Sequence, residues 1–280
     1  MKQSTRFVRG SLFLLLVGFC FSVHADYATA TIAAGDIPQA VAVNPVTNKM
    51  YVANGGSSTV TVIDGATNGT TTVDVGYWPI AVAMNSVTNR IYVANNYNGT
   101  GGNSVTVIDG AANTVTATVA VGTNPNAVAV NPVTNMIYVA NYGSNTVTVI
   151  DGATNTTNTV TAGTNPYAVA VNPVTNMIYV ANYGSNTVTL INGATNGTNT
   201  VAAGTNPYAV AVNPKTNRIY VANHGSKNVT VIDGASNTAI ATVTAGNSPD
   251  AVAVDPVTNK IYVANQGSAN VTVIDGATNA

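Results

Sequence analysis

The chain has 280 residues, of which 7% are charged, with nine Lys and Arg against ten Asp and Glu. A near-neutral chain with so few cations argues against a phosphate-binding surface for nucleic acid. Its wealth of Asn, Thr, Gly and Val suits short strands joined by tight turns and excludes a helical protein.

Residues 1–25 read as a secretory signal peptide. Lys2, Arg6 and Arg9 give a basic start, residues 12–23 are mostly apolar, and Val23-His24-Ala25 puts a small residue before Asp26 at the cut. The apolar run is too short for a comfortable membrane span. Cys20, the sole cysteine, lies inside it, and the bulky Phe19 before it argues against a lipid anchor. Removing the segment leaves six basic residues against ten Asp, a net charge of −4, with neither Glu nor Cys. Stability outside the cell must then come from packing and hydrogen bonds rather than disulfides. The mature chain, 26–280, is expected to be periplasmic, secreted or on the cell surface, with no transmembrane segment.

Residues 27–34 read as one isolated strand. The word Tyr-Val-Ala-Asn then recurs at Tyr51, Tyr92, Tyr138, Tyr179, Tyr220 and Tyr262, at spacings of 41, 46, 41, 41 and 42. Such a period marks one supersecondary unit copied in series. In the third copy, 126–130 is apolar on both faces, as in a strand buried on both sides. A turn at 131–135 with Pro132 at its corner follows, then strand 136–140, a turn at 141–145 and an alternating strand at 146–150. After a turn at 151–155 comes a weaker strand, 157–162, and Gly163 with Pro166 punctuates the return. Four short antiparallel strands per period read as a propeller blade, with the first strand nearest the axis. A unit this small cannot bury a core alone, so neighbours supply it, the repeated tyrosine filling the space between blades. The fold class expected is therefore all-β: a six-bladed β-propeller of four-stranded antiparallel blades, one domain over 26–280. The last copy stops where its fourth strand should begin, and 27–34 is expected to pair there and close the ring, removing an open edge.

The unit resembles the YVTN-type β-propeller repeat of surface-layer and exported microbial proteins. The resemblance rests on Tyr-Val-Ala-Asn with Ala-Val-Ala-Val-Asn-Pro-Val-Thr-Asn before it and Val-Thr-Val-Ile-Asp-Gly-Ala-Thr-Asn after it, and extends from about residue 27 onward. It implies export and an interaction role, and carries no catalytic motif.

The two rims of such a ring differ. On one, a basic residue opening the second strand faces an Asp closing the third: Lys49 with Asp64, Arg90 with Asp109, Arg218 with Asp233 and Lys260 with Asp275. These read as surface ion pairs of about 0–1 kcal/mol each. The alternating Asp cancels the positive field that nucleic acid would need. The other rim varies. The residue after the returning proline is Gln39, Ile80, Asn126, Tyr167, Tyr208 or Asp250, and the residue after Tyr-Val-Ala-Asn is Gly55, Asn96, Tyr142, Tyr183, His224 or Gln266. The second copy adds four residues there, next to Tyr77, Trp78 and Tyr97. Aromatic side chains offer a flat apolar face with a polar tip, suited to sugars, peptides or partner proteins, although tyrosines at this spacing equally well pack on one another. The candidate binding rim is Tyr77, Trp78, Tyr97, Tyr142, Tyr167, Tyr183, Tyr208, His224 and Asp250.

One histidine remains after cleavage, so a hydrolytic or metal set is thinly supplied. A His224–Asp250 pair serving as acid and base, or a calcium site at Asp36 and Asp250, has no spacing that demands it. The sequence reads as a non-catalytic, cofactor-free monomer binding a protein, glycan or envelope polymer, with no nucleic acid partner. The alternative is a propeller enzyme of the lactonase or lyase type with its site at the axial mouth of the same rim.

Overall fold

A computed structural model describes residues 30–97 and 102–280. The signal peptide, the start of the lone strand (27–29) and part of the second copy's insertion (98–101) lie outside the described residues. The first sheet is β1 Pro38–Asn44, β2 Lys49–Asn54, β3 Thr59–Asp64 and β4 Thr70–Asp74; the second is β5 Pro79–Asn85, β6 Arg90–Asn95, β7 Ser104–Asp109 and β8 Thr114–Ala120. The third is β9 Pro125–Asn131, β10 Met136–Asn141, β11 Thr146–Asp151 and β12 Thr157–Thr161; the fourth is β13 Pro166–Asn172, β14 Met177–Asn182, β15 Thr187–Asn192 and β16 Thr198–Ala202. The fifth is β17 Pro207–Asn213, β18 Arg218–Asn223, β19 Asn228–Asp233 and β20 Thr238–Thr244; the sixth is β21 Pro249–Asp255, β22 Lys260–Asn265 and β23 Asn270–Asp275. Every sheet runs antiparallel in sequence order, five with four strands and the last with three. The first strands of successive sheets lie against one another while the fourth strands barely meet, so each sheet is a wedge with its narrow edge inward, as in a propeller.

Each interface follows from the alternation of side chains along the two middle strands. Tyr138, Ala140, Val147 and Val149 leave one face of the third sheet and meet Ile178, Val180 and Ile191 of the fourth. The same set recurs at the other four internal interfaces. Tyr51, Tyr92, Tyr138, Tyr179 and Tyr220 are completely buried there, as the repeat predicts. The first strands behave differently from expectation. Residues 126–130 are half-exposed because the innermost edge faces the axis rather than a covering layer.

The asparagines of the repeat are structural. The Asn closing Tyr-Val-Ala-Asn is buried, and its amide donates to a threonine hydroxyl in the next strand, Asn141 to Thr148 and Asn182 to Thr189, both at 2.9 Å. That hydroxyl also receives the backbone N–H of Gly122 or Gly163, which fixes the return from the preceding sheet. The asparagines at either end of the turn between the first two strands bridge neighbours: Asn85 donates to Asn135 and Asn131 to Asn176, both at 2.8 Å. The acceptors Asn135 and Asn176 have positive φ, a conformation asparagine tolerates well.

Two expectations are altered. The basic residues do stand opposite their Asp partners in register. However, Lys49 reaches the Gly110 carbonyl at 2.8 Å and Arg90 the Gly152 carbonyl at 2.8 Å, each in the following sheet. A long side chain gains more from an unpaired carbonyl than from an exposed carboxylate screened by water. Lys260, with no following sheet among the described residues, turns to its own Asp275, at 2.7 Å. The expected closure by the N-terminal strand is not found among the described residues: 30–34 form no strand and the last sheet has three. Among the described residues, the first and last sheets lack the packing that joins the other neighbours.

Candidate functional site

A β-bulge opens the first strand of every sheet. The register skips from Pro166 to Ala168, from Pro207 to Ala209 and from Pro249 to Ala251, leaving Tyr167, Tyr208 and Asp250 unpaired. Gln39, Ile80 and Asn126 occupy the same place in the other three sheets. A bulge re-aims the extra residue out of the strand pattern. The fold therefore places these six variable residues at equivalent points on the first strands of successive sheets, which lie side by side.

The second variable position is fixed by a backbone bond. The N–H of Tyr142, Tyr183 and His224 donates to the carbonyl of Asn124, Asn165 and Asn206 at 2.9–3.0 Å. Those asparagines have φ of 52°, and Trp78 takes the equivalent place with the same φ of 52°. A bulky residue in the left-handed region is strained, and such strain gathers at functional positions. Trp78→Asn is expected to stabilise the fold by about 1 kcal/mol, read as a raised denaturant midpoint. A lowered midpoint would show that packing of the indole outweighs the strain.

Six of the sequence-predicted residues form one continuous cluster. Ring centroids lie 6.2 Å apart for Tyr142–Tyr167, 6.0 Å for Tyr167–Tyr183, 4.2 Å for Tyr167–Tyr208 and 6.3 Å for Tyr183–Tyr208. The Tyr208 ring lies 5.7 Å from that of His224. The His224 Nε2 is 3.5 Å from Asp250 Oδ1. Tyr77 and Tyr97 form a separate pair on the second sheet, with centroids 5.6 Å apart, beside the partly exposed Trp78.

The chemistry of the cluster is polarised. The Tyr167 hydroxyl donates to the Tyr208 oxygen at 2.6 Å, and burial holds the Tyr167 hydroxyl well above the ordinary range. Tyr208 thus has its lone pair engaged and its own proton free to give. Burial raises the Asp250 carboxyl above its usual value, against the lowering pull of His224. Asp250 is mostly buried, and its Oδ1 is close enough to His224 for charge attraction but makes no short hydrogen bond. Asp36 is exposed, and the structure does not join it to Asp250. Among the described residues no three His, Cys, Asp or Glu side chains are placed to hold a metal ion.

Asn126 was visible in the sequence only as a variable position. Its amide donates to the Tyr167 carbonyl at 2.8 Å and braces the cluster from the preceding sheet. Its place at the bulge, in line with Tyr167 and Tyr208, is the signal that could have marked it.

Residues 64–157 match the family model "Lactonase, 7-bladed beta-propeller". The match runs from the end of β3 into β12, and so includes Tyr77, Trp78, Tyr97 and Tyr142 but stops before Tyr167. A search of curated proteins finds no match. Among solved structures the chain is similar to Kuenenia stuttgartiensis hydrazine synthase, with a TM-score of 0.57 and 19% identity over 89% of this chain and 99% of that one. It is also similar to a functionally unknown protein from Desulfotomaculum acetoxidans DSM 771, with a TM-score of 0.72 and 15% identity over 88% of this chain and 84% of that one. These likenesses support the β-propeller repeat fold. The lactonase match corrects the expectation of a non-catalytic protein: part of this chain is built like an enzyme family.

Proposed function

We propose that this protein is an exported propeller hydrolase of the lactonase type, acting at the mouth ringed by the bulges. The observation that carries the reading is the His224–Asp250 pair seated beside Tyr208 in that mouth. The lactonase match supports the reaction class.

Lactone opening adds water to a carbonyl carbon and breaks the ring C–O bond. His224 takes a proton from the attacking water on the ring nitrogen that faces away from Asp250, while Asp250 stabilises the imidazolium that forms. The Tyr208 hydroxyl, its oxygen held by Tyr167, donates to the oxyanion as the carbonyl becomes tetrahedral. His224 then returns the proton to the departing alkoxide, giving a hydroxy acid. Tyr142 and Tyr183 wall the mouth, and Tyr77, Trp78 and Tyr97 offer a second aromatic surface on the same rim for the organic remainder of the substrate.

The test is proton release at constant pH with a panel of five- and six-membered lactones. His224→Gln is expected to lower kcat by about 10²–10⁴-fold, the usual share of a general base, with little change in melting temperature. Absence of acid release from every lactone, or an unaffected His224→Gln variant, would refute the assignment.

A further inference from the structure

The two outer faces of the sheet array are unlike, and each is the counterpart of the other. At the trailing end, Val271 and Val273 are 49% and 51% exposed, whereas their equivalents Val147 and Val149 are at 0% and 1%. Tyr262 and Ala264 are half-exposed, though the same residues are buried in the preceding sheets. At the leading end, Met50 and Val52 are half-exposed, where Ile91 and Val93 are completely buried. The five internal interfaces show what each face takes: a Tyr-Ala-Val-Val face covers an Ile-Val-Ile face.

Three polar details agree. Lys260 lacks the following-sheet carbonyl that Lys49 and Arg90 use, and makes do with Asp275. The inter-sheet asparagine ladder ends at Asp255, which stands where Asn85 and Asn131 donate to the next sheet; a carboxylate can instead accept from the amide of Asn48. Among the described residues, the outer edge of β23 has no fourth strand.

We infer that copies of this chain associate head to tail, the first sheet of one docking on the last sheet of another. The N-terminal segment decides for a second copy. At each internal junction the fourth strand of one sheet leads directly into the first strand of the next. A docking copy therefore delivers its own residues 30–34 to the vacant edge of its neighbour's β23. Ile32 lies six residues before Pro38, as Val73 lies before Pro79 and Val160 before Pro166. Val73 pairs with Val60 and Val160 with Val147. Ile32 thus pairs with Val271 of the neighbour, and Lys260 regains a carbonyl at the neighbour's Gly65. A contact between unlike faces continues until something caps it.

Light scattering on the eluting full chain is expected to show a mass that grows with concentration. Val273→Lys and Val52→Lys, which block opposite ends, should each be monomeric alone and form a one-to-one dimer when mixed. A second measurement uses a background with Cys20→Ser. Ile32→Cys and Val271→Cys chains, mixed and oxidised, should give a disulfide-linked pair, and the double variant should give a ladder of linked chains. A wild-type monomer at every concentration, failure of the blocked variants to pair, or an intrachain link in the double variant would each overturn the inference.

Discussion

Replacing Asp250 by Asn should slow turnover by about 10²–10⁴-fold and at the same time make the folded protein harder to melt at neutral pH. The sign follows from burial. The Asp250 carboxyl sits above its ordinary value because its surroundings oppose the charged form, an effect that His224 offsets only in part. A carboxyl raised in the fold favours folding while it is protonated, and that contribution is lost as pH rises through the raised value. Asparagine keeps the shape and never ionises. The gain should therefore be present at neutral pH and disappear below the ordinary carboxylate range. Melting temperature followed across that range checks it, and a melting temperature lowered at neutral pH would contradict it. Residues that act as one unit are not additive. The His224→Gln/Asp250→Asn double variant should thus be little slower than His224→Gln alone.

The largest loss of stability is expected at the repeated tyrosine. Tyr179→Ala should destabilise by about 3–5 kcal/mol, the range for emptying a buried aromatic site. Tyr179 is completely buried between the fourth and fifth sheets, against Ile219, Val221 and Ile232. Tyr179→Phe should behave quite differently. The hydroxyl of Tyr179 is buried without a hydrogen-bond partner, and burial pushes it up to about 12. Removing an unsatisfied polar group is close to neutral or mildly stabilising. Denaturant unfolding of both variants gives the comparison, and a large loss in the Phe variant would point to an interaction of that hydroxyl.

The sheets were legible because the chain states its pattern six times. Each strand inferred for the third copy, from 126–130 to 157–162, lies within one residue of an observed strand. The burial of Tyr138 followed from the need of a small unit for its neighbours. What stayed hidden depends on geometry between copies. No periodicity says that Lys49 prefers the Gly110 carbonyl to Asp64, because that choice is made across an interface. The joining of Tyr142, Tyr167, Tyr183, Tyr208, His224 and Asp250 into one cluster needed the curvature that sets successive sheets side by side. Their common rim could be read from the turn pattern, but the bulge that aims Tyr167, Tyr208 and Asp250 leaves no mark beyond a proline followed by a variable residue. The pair His224–Asp250 was visible as two residues on one rim, yet its reach of 3.5 Å was not.

The bulges also bear on how such a protein can change. The residues that hold neighbouring sheets together come from the middle strands, and those that hold each return come from the buried Asn and Thr. Gln39, Ile80, Asn126, Tyr167, Tyr208 and Asp250 belong to neither set, since each is skipped by the strand ladder. Exchanging one of them leaves the core formed by the middle strands untouched. The rim can thus be rewritten without renegotiating the middle-strand interfaces, provided that Asn126, Tyr167, Tyr208 and Asp250, which touch one another or their neighbours, change together.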